Sequence, residues 1–471
     1  MDSASVLEIF KEITRIPRES GHEGPITAYL QQWAAAHHLD CKTDPTGNVL
    51  ISRPASKGKE HVPAIVLQAH QDMVCEKNAG FEHDFARDPI PYVIEDGWMI
   101  AKDTTLGADD GIGIAACLAL LESELPTGPL ECLFTISEET GMDGAEALQS
   151  GFFEGKTLIN LDSEDEGQLF IGCAGGLSTL VRFELRREAV RRGWKKLQIG
   201  ISGGVGGHSG DDINKDRANT VQQLARFLCS ELPHGLQLIG IQGGGKHNAI
   251  AREASALVAV PDPRATRERF AAFGQALSEE FHVTEPGLAC KASAGSSRER
   301  AIRGADRIIR ALFACPHGPL AMSQDIPGLV ETSTNLASVR IEGETLEIVT
   351  SQRSPMQSER RMAAAKVAAC FQLAGAQVEH TLEYPGWTPN VQSPILKQCV
   401  EAYRTLFDTE PEVKAIHAGL ECGLFLTKFP GLDMISFGPT LRGVHAPGEK
   451  LELASLDKFV KLLNHVVCHF K

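Results

Sequence analysis

Two adjacent carboxylates, Glu138 and Glu139, follow an apolar run in the stretch LECLFTISEETGMDG, residues 130–144. The run 130–136 is short and apolar and predicts a buried strand. Because neighbouring side chains of an extended chain point to opposite sides, one carboxylate can hold a ligand while the other acts from a different direction. The alternative is a solvated acidic turn that closes the strand, since glutamate is mostly exposed in proteins.

An imidazole and a carboxylate end a second apolar run, residues 63–69, in the sequence His70-Gln71-Asp72. In an extended segment, side chains two positions apart share a face, so His70 and Asp72 project the same way. A carboxylate beside an imidazole orients the ring and raises its basicity when the ring binds a metal. By itself, however, this pattern is more typical of a structural histidine.

Two further acidic groups stand at the ends of predicted elements. Asp109 and Asp110, in GADDGIGI, precede a helix predicted over 112–122, and Asp162 follows a buried strand predicted over 156–161. Capping and the helix dipole also favour carboxylates at a helix start, which is the structural alternative for Asp109. The glycines do not form a phosphate loop, because the G-x-G-x-x-G spacing and a Walker lysine are missing.

These segments share one arrangement, in which each apolar element has an acidic or imidazole group at its end or in the following turn. In an open α/β sheet, ligands bind beyond the carboxyl ends of the strands, so we expect these groups to converge there. Together with His445, in the late loop GPTLRGVHAPGE, they supply two histidines and three carboxylates for a metal site: His70, His445, Asp109, Glu139 and Asp162. Such ligands suit zinc, manganese or cobalt. One carboxylate can bridge two ions, and Glu138 is left over as a general base toward a shared water.

Composition narrows the class of protein. The length of 471 residues favours two or three domains. The formal net charge of −15 argues against nucleic acid or an anionic membrane as a partner. We expect neither a membrane span nor a signal peptide, since no stretch reaches about 20 apolar residues and the N-terminus lacks an apolar signal core. The twelve scattered cysteines contain no C-x-x-C pair and are typical of a reduced, cytoplasmic protein.

The hydrophobic pattern divides the chain into three parts. We expect a first domain built from residues 1–176 and 384–471, interrupted by an α+β domain over 177–383 that contains two related halves. Glycines near 175–176 and the sequence Pro385-Gly386-Trp387 mark its two ends. Residues 78–103 are polar and contain Pro89 and Pro91, which predicts an irregular surface excursion. The other predicted helices are 4–39 (broken near residues 17–24), 264–281, 303–314, 358–374, 393–406 and 455–468, and the other predicted strands are 49–52, 177–185, 195–201, 377–382, 413–416 and 432–437.

Five motifs, in this order along the chain, resemble one known family: LQAHQDMV, GADDGIG, SEETGMDGA, NLDSED and GVHAPGE. They are similar to the co-catalytic zinc aminoacylase and dipeptidase family, which includes carboxypeptidase G-like enzymes and peptidase T. The stretches CEKN, HDFARDPI and TTLGADDGIG further resemble the bacterial aminoacyl-histidine dipeptidases, which cleave Xaa-His dipeptides including carnosine. The resemblance implies an α/β fold with a mixed-sheet zinc-peptidase catalytic domain and an inserted α+β lid domain. One difference is Asp110, where that subfamily often has asparagine.

The resemblance also implies roles for individual residues and two zinc ions per chain, with cobalt or manganese as substitutes. His70 and Asp162 would bind one zinc, Glu139 and His445 the other, and Asp109 would bridge them. Asp72 would orient His70, and Glu138 would be the general base. In the lid, three residues match positions that contact the carbonyl oxygen and the terminal carboxylate of a small dipeptide substrate: His208, Asn248 and Arg353.

Two alternatives remain open in the sequence. The chain could be an N-acyl amino-acid deacylase of the same family, or a catalytically silent relative that binds a metal or a peptide. Loss of Glu138 or of a ligand would favour the silent relative, and none is lost. Because the lid is twice the size found in simple members of the family, we also expect that a homodimer is not required to complete the active site.

Overall fold

A computed structural model describes residues 1–471 of the chain, which form two compact units. Unit 1 comprises Met1–Gly172, Trp387–Ala415 and Leu420–Lys471, and unit 2 comprises Cys173–Gly386 and Ile416–Gly419. None of the helices combines the length and apolar composition that a membrane crossing would require. The functional division into a catalytic domain and a lid stays a prediction.

Twelve α-helices and twenty-three strands make up the two units. The helices are α1 Ser3–Ile13, α2 Gly24–Ala36, α3 Ala108–Glu122, α4 Glu138–Gly141, α5 Asp143–Ala147, α6 Thr220–Glu231, α7 Pro263–Glu280, α8 Ala305–Ala314, α9 Gln357–Leu373, α10 Pro394–Phe407, α11 Glu421–Lys428 and α12 Leu453–His469. The strands are β1 Asp40–Thr43, β2 Val49–Arg53, β3 Ile65–His70, β4 Tyr92–Glu95, β5 Trp98–Ala101, β6 Leu130–Thr135, β7 Thr157–Asn160, β8 Gln168–Cys173, β9 Gly175–Glu184, β10 Arg187–Glu188, β11 Lys195–Ser202, β12 Gln237–Gly244, β13 Ala254–Val260, β14 Ala289–Ala294, β15 Ala301–Ile302, β16 Gly318–Met322, β17 Val330–Glu342, β18 Thr345–Ser354, β19 Gln377–Tyr384, β20 Glu412–Ile416, β21 Asp433–Ser436, β22 Leu441–Arg442 and β23 Lys450–Glu452.

The main sheet of unit 1 is mixed, with the strand order β1-β2-β6-β3-β7-β21-β8-β20. Its centre is parallel, because β3 pairs in parallel with β6 and β7, and β21 pairs in parallel with β7. Every residue of β3 and β6 is buried, as expected for parallel strands covered on both faces. The predicted mixed α/β architecture is therefore confirmed for this part of the chain.

Helix α3 lies in the interior of unit 1 and packs against α1 and β3. All its residues except the last are buried, which agrees with an apolar surface on every side. Its backbone departs from helical geometry at Asp109 and Asp110, so the regular helix begins after this pair. The element is preceded by Gly107, whose φ of 68° lies in the left-handed region that glycine adopts most readily.

A second, four-stranded sheet of unit 1 has the order β22-β23-β5-β4. Strands β4 and β5 form a hairpin in which Glu95 pairs with Trp98. The prediction that residues 78–103 are irregular was therefore wrong for 92–101. The turn residues Asp96 and Gly97 both have positive φ, which is the Asp-Gly signature of a tight hairpin turn. The two nearby prolines had outweighed that signal.

Unit 2 is built on a nine-stranded sheet with the order β14-β11-β13-β12-β17-β18-β9-β19, and β16 pairs beside β17. Its neighbouring strands all pair antiparallel. Helices α6 and α9 pack against this sheet, and α8 packs against both helices. Their apolar faces share one core with the strands, which includes Phe227, Phe270 and Phe371.

The imidazole of His317 gives the free energy of unfolding of unit 2 a testable dependence on pH. The Nδ1 atom of His317 accepts hydrogen bonds from the Leu336 backbone N–H (3.3 Å) and the Asn219 side-chain amide (3.4 Å). Burial lowers the pKa of His317 from 6.5 to about 4. Between pH 6.5 and about pH 4 the unfolded chain therefore binds more protons than the folded protein. As the pH falls through this range, the free energy of unfolding falls with it.

Between pH 7 and pH 4 the free energy of unfolding should fall less in a His317→Asn variant than in the wild type. The expected difference between the two proteins is up to about 3 kcal/mol. Urea unfolding across this range measures the difference, because asparagine keeps a hydrogen-bonding group but cannot bind a proton. The exposed His234, replaced by asparagine, is the matched control. Equal pH dependence in His317→Asn and the wild type would contradict the assignment.

Candidate active site

Four of the groups predicted to converge in unit 1 lie at the carboxyl ends of three adjacent parallel strands. His70 is the last residue of β3, Glu138 and Glu139 follow β6, and Asp162 follows β7. Ser137 turns the chain after β6, with φ of 52° in the left-handed region, and the short helix α4 begins with the two glutamates. The strand order therefore accounts for the meeting of residues that are far apart in sequence.

Asp109 presents its two carboxylate oxygens to two different histidines. Its Oδ1 atom lies 2.9 Å from His70 Nε2, and its Oδ2 atom lies 3.0 Å from His445 Nε2. His445 Nε2 is also 2.8 Å from Glu139 Oε1, and His70 Nε2 is 3.6 Å from Asp162 Oδ1. Asp109 therefore stands between two groups of potential ligands.

Two clusters of ligand atoms share the carboxylate of Asp109. One consists of His70, Asp109 and Asp162, and the other of Asp109, Glu139 and His445. Within each cluster the ligand atoms lie within 4.8 Å of one another. A third grouping, also within that distance, joins His70 to Glu138 and Glu139. This arrangement brings together every predicted metal ligand and places Glu138 beside them.

Asp72 links the end of β3 to the turn that carries the two glutamates. Its Oδ1 atom lies 3.3 Å from His70 Nδ1 and accepts the Glu138 N–H (3.1 Å), while its Oδ2 atom accepts the Glu139 N–H (3.2 Å). Ser20 donates a further hydrogen bond to Oδ2 (2.7 Å). Burial opposes ionisation, but these hydrogen bonds lower the pKa of Asp72 to about 2. An ionised Asp72 holds the His70 ring and both backbone N–H groups at once.

Negative charge is in excess among these buried groups. Burial raises the pKa of Glu138, and the nearby carboxylates, Asp162 first, raise it further. Burial likewise raises the pKa of Asp162, with Asp109 adding to the shift. Conversely, the hydrogen bonds that His445 donates to Asp109 and Glu139 raise the pKa of His445 to about 11. Like charges held this close favour a neutralising cation.

The donor set fits divalent metal ions. Five carboxylates and two imidazoles meet at the strand ends, and neither cluster contains a cysteine: Asp72, Asp109, Glu138, Glu139, Asp162, His70 and His445. Mixed nitrogen and oxygen ligands of this kind suit zinc, cobalt or manganese. A dication in each cluster would also offset the surplus of negative charge that raises the pKa of Glu138.

The structure brings the three predicted substrate-binding residues together within unit 2. The backbone beside His208 pairs with the segment of Asn248, since the Ser209 N–H donates to the Asn248 carbonyl oxygen (2.8 Å). His208 Nε2 lies 3.3 Å from Arg353 Nη2. The side chains of His208 and Arg353 therefore meet, and the backbone of Asn248 lies beside the segment of His208.

Arg353 is a buried cation with no carboxylate among its hydrogen-bond partners. Its side chain donates to Tyr384 Oη (3.2 Å) and Ser209 Oγ (3.4 Å), and the residue is only 7% exposed. No ion pair within 4 Å joins it to a carboxylate of the chain. A buried guanidinium with no anionic partner is suited to bind a carboxylate from a ligand.

Two residues near Arg353 were missed by the sequence analysis. Tyr384 accepts a hydrogen bond from Arg353. His417 lies 2.7 Å from the hydroxyl of Ser333 and is hydrogen-bonded to it, and Ser333 is the residue that pairs with Arg353 between strands β17 and β18. His417 is buried, and its Nδ1 atom has no hydrogen-bond partner. No spacing in the sequence connects His417 with Arg353.

Residues 66–469 match the family model of peptidase family M20/M25/M40. The chain belongs to this family. The resemblance inferred from the five motifs is thus confirmed, and so is the expectation of a hydrolase that acts on peptide bonds. All the candidate ligands lie within the matched residues.

Two relatives match nearly the whole chain. The cytosol non-specific dipeptidase of Escherichia coli (strain K12) is 39% identical over 466 residues, which cover 98% of this chain and 96% of that protein. The structure of an aminoacylhistidine dipeptidase from Vibrio alginolyticus is also 39% identical, with a TM-score of 0.92 and coverage of 99% and 97% of the two chains. Aminopeptidase PepT from Bacillus cereus, at 16% identity and a TM-score of 0.59 over 99% and 98% of the two chains, shows a similar fold.

Proposed function

We propose that the protein is a metal-dependent dipeptidase of the cytoplasm that hydrolyses Xaa-His dipeptides, including β-alanyl-histidine. The observation that carries this proposal is the single carboxylate of Asp109 set between His70 and His445, with Glu138 beside both ligand clusters. The names of the Escherichia coli and Vibrio relatives support a dipeptide substrate, and the Vibrio name supports a histidine in the second position.

The proposed cofactor is a pair of zinc ions, with cobalt or manganese as substitutes. His70 and Asp162 would hold one ion, Glu139 and His445 the other, and Asp109 both. When bound, the ions would act as Lewis acids toward a water molecule and the peptide carbonyl group. Asp72 keeps the His70 ring in the orientation that directs Nε2 toward Asp109 and Asp162.

Glu138 is the proposed general base. It accepts a proton from the water whose oxygen bonds to the carbonyl carbon, and it returns a proton to the nitrogen as the carbon–nitrogen bond breaks. The products are the N-terminal amino acid and free histidine. Its place beside His70 and Glu139, with one ligand of each cluster next to it, suits a group that must both take and release a proton at a water held there.

Arg353 is the proposed binding group for the terminal carboxylate of the dipeptide, and His208 and Asn248 are proposed to contact the substrate as well. In unit 2 the guanidinium is held by Tyr384 and Ser209 and lacks an anionic partner. Recognition of a free terminal carboxylate would restrict the enzyme to short peptides. His208 would donate a hydrogen bond to the carbonyl oxygen as negative charge develops on it.

A direct assay separates the proposed dipeptidase from a deacylase. We expect the zinc-loaded enzyme to release histidine from β-alanyl-histidine much faster than from N-acetylhistidine, because a dipeptidase accepts a free amino end. Preference for the N-acetyl compound would favour an N-acyl amino-acid deacylase. Absence of hydrolysis with zinc, cobalt and manganese would favour a relative that only binds a metal or a peptide.

Replacement of Glu138 by alanine should lower kcat by about 10²- to 10⁴-fold, since a general base contributes on this scale. The metal content of the dialysed variant should remain that of the wild type, because Glu138 is not a proposed ligand. Asp109→Asn is the contrasting variant and should lose metal. Loss of metal from Glu138→Ala would instead identify Glu138 as a ligand.

Replacement of Arg353 by alanine should lower kcat/KM for dipeptides by about 10²-fold or more, the scale for leaving a charged group without its partner. Dipeptide amides should be poor substrates of the wild type, because they lack the carboxylate. Arg340, on the same sheet and exposed, provides the control variant Arg340→Ala. Equal cleavage of a dipeptide and its amide would exclude the proposed carboxylate contact.

We further propose that a homodimer is not needed to complete the active site. The large size of the inserted domain supports this, since His208 and Arg353 are both supplied by one chain and contact each other. A mixture of His208→Ala and Glu138→Ala proteins should then stay inactive. Recovery of activity in the mixture, through exchange of subunits, would show that one chain serves the site of its partner.

A further inference from the structure

A buried carboxylate, Glu449, binds the backbone of the segment that carries Asp109. Its Oε2 atom accepts the N–H groups of Leu106 (2.8 Å) and Gly107 (3.0 Å), and its Oε1 atom accepts those of Ala108 (2.8 Å) and Asp109 (3.4 Å). Glu449 is 1% exposed. Four consecutive N–H groups therefore depend on one side chain, and such charge-assisted bonds are stronger than neutral ones.

A buried guanidinium, Arg18, joins the same segment to the end of β3. Its Nη1 atom donates to the carbonyl oxygens of Gln71 (3.1 Å) and Asp72 (2.8 Å), and its Nη2 atom donates to the carbonyl oxygen of Gly107. Arg18 is 2% exposed. One side chain thus connects the residues that follow His70 with those that precede Asp109.

The space around these contacts is filled. A Cβ atom at Gly107 would lie 2.5 Å from Arg18 Nη2 and 2.7 Å from Met73 Sδ. Arg18 or Met73 would have to move to accommodate any side chain at this position. The segment therefore has little freedom to shift Asp109 while Arg18 and Glu449 are in place.

Glu449 also belongs to the loop that carries His445. Its N–H donates to the Ala446 carbonyl oxygen (3.1 Å), and the adjacent Gly448 N–H donates to the Thr104 carbonyl oxygen (3.0 Å). The three segments that carry His70, Asp109 and His445 are therefore connected through Arg18 and Glu449. Neither side chain hydrogen-bonds a ligand side chain.

We propose that Arg18 and Glu449 are positioning residues that fix Asp109 relative to His70 and His445, and so set the affinity and geometry of the metal centre. This inference rests on the proposed metal-dependent function. Outer groups that orient metal ligands commonly change metal affinity by about 10- to 100-fold.

The test compares Glu449→Gln and Arg18→Lys with two matched variants elsewhere in unit 1. Glu131 is a buried carboxylate that accepts the N–H groups of Glu154 (3.0 Å) and Gly155 (2.7 Å), near the other end of β6 from Glu138. Arg53 donates to the carbonyl oxygens of Leu120 (2.8 Å) and Ser123 (2.6 Å), at the far end of α3. Glu131→Gln and Arg53→Lys therefore disturb comparable backbone contacts away from the ligands.

Two measurements are made on full-length proteins shown to be folded by thermal unfolding of the metal-free form. Zinc affinity is measured by competition with a chelator, and the ligand geometry by the visible absorption spectrum of the cobalt form. We expect Glu449→Gln and Arg18→Lys to bind zinc about 10- to 100-fold more weakly and to change the cobalt spectrum. Glu131→Gln and Arg53→Lys should keep the zinc affinity and spectrum of the wild type.

Wild-type zinc affinity and an unchanged spectrum in both Glu449→Gln and Arg18→Lys would overturn the inference. If Glu449→Gln does not fold, Arg18→Lys decides. Failure of both to fold, while the two matched variants fold, would assign Arg18 and Glu449 to stability alone and would also overturn it. A wild type that binds zinc but cleaves no dipeptide would refute the proposed function and leave the positioning role intact.

Discussion

The carboxylate of Asp109, facing His70 through one oxygen and His445 through the other, imposes the main constraint on unit 1. Both contacts are short, so the segments that carry His70, Asp109 and His445 must stay at fixed distances from one another. They must do so although the neighbouring carboxylates repel each other. Parallel pairing of β3, β6 and β7 aligns one side of the site, and Asp72 ties the end of β3 to the turn after β6. The remaining alignment comes from loops, where regular pairing cannot supply it. Buried charged side chains hold the backbone there instead.

Much of this arrangement could be predicted from the sequence because its signals are local. Short apolar runs mark β3, β6 and β7, and each ends in a residue that is costly to bury without a partner. The rule that ligands lie beyond the carboxyl ends of such strands then brings His70, Glu138 and Asp162 together without knowledge of the strand order. Asp109 and His445 follow no strand of the main sheet, and their inclusion depended on residue type and on the resemblance of the motifs.

What the sequence did not disclose depends on contacts between distant residues. Arg18 lies in a loop after α1, and its sequence context does not distinguish it from a surface arginine. Its three carbonyl partners are evident only in the structure. Tyr384 and His417 are 33 residues apart, and each reaches the surroundings of Arg353 through the fold of unit 2 and not through a shared motif. The hairpin β4–β5 was missed for a different reason, since two prolines before it masked an alternating pattern closed by Asp-Gly.

The connectivity of the two units has a consequence for biosynthesis. The chain passes between them four times, because residues 416–419 belong to unit 2 although they follow a return to unit 1 at Trp387. Unit 1 in turn needs β21 inside its main sheet and His445 beside Asp109. A ribosome that synthesises this chain from its N-terminus thus exposes most of unit 1 before β21 can complete the main sheet. The apolar edge of β7 stays unpaired until residues 433–436 have been made, an interval in which a nascent chain is open to chaperones and to aggregation.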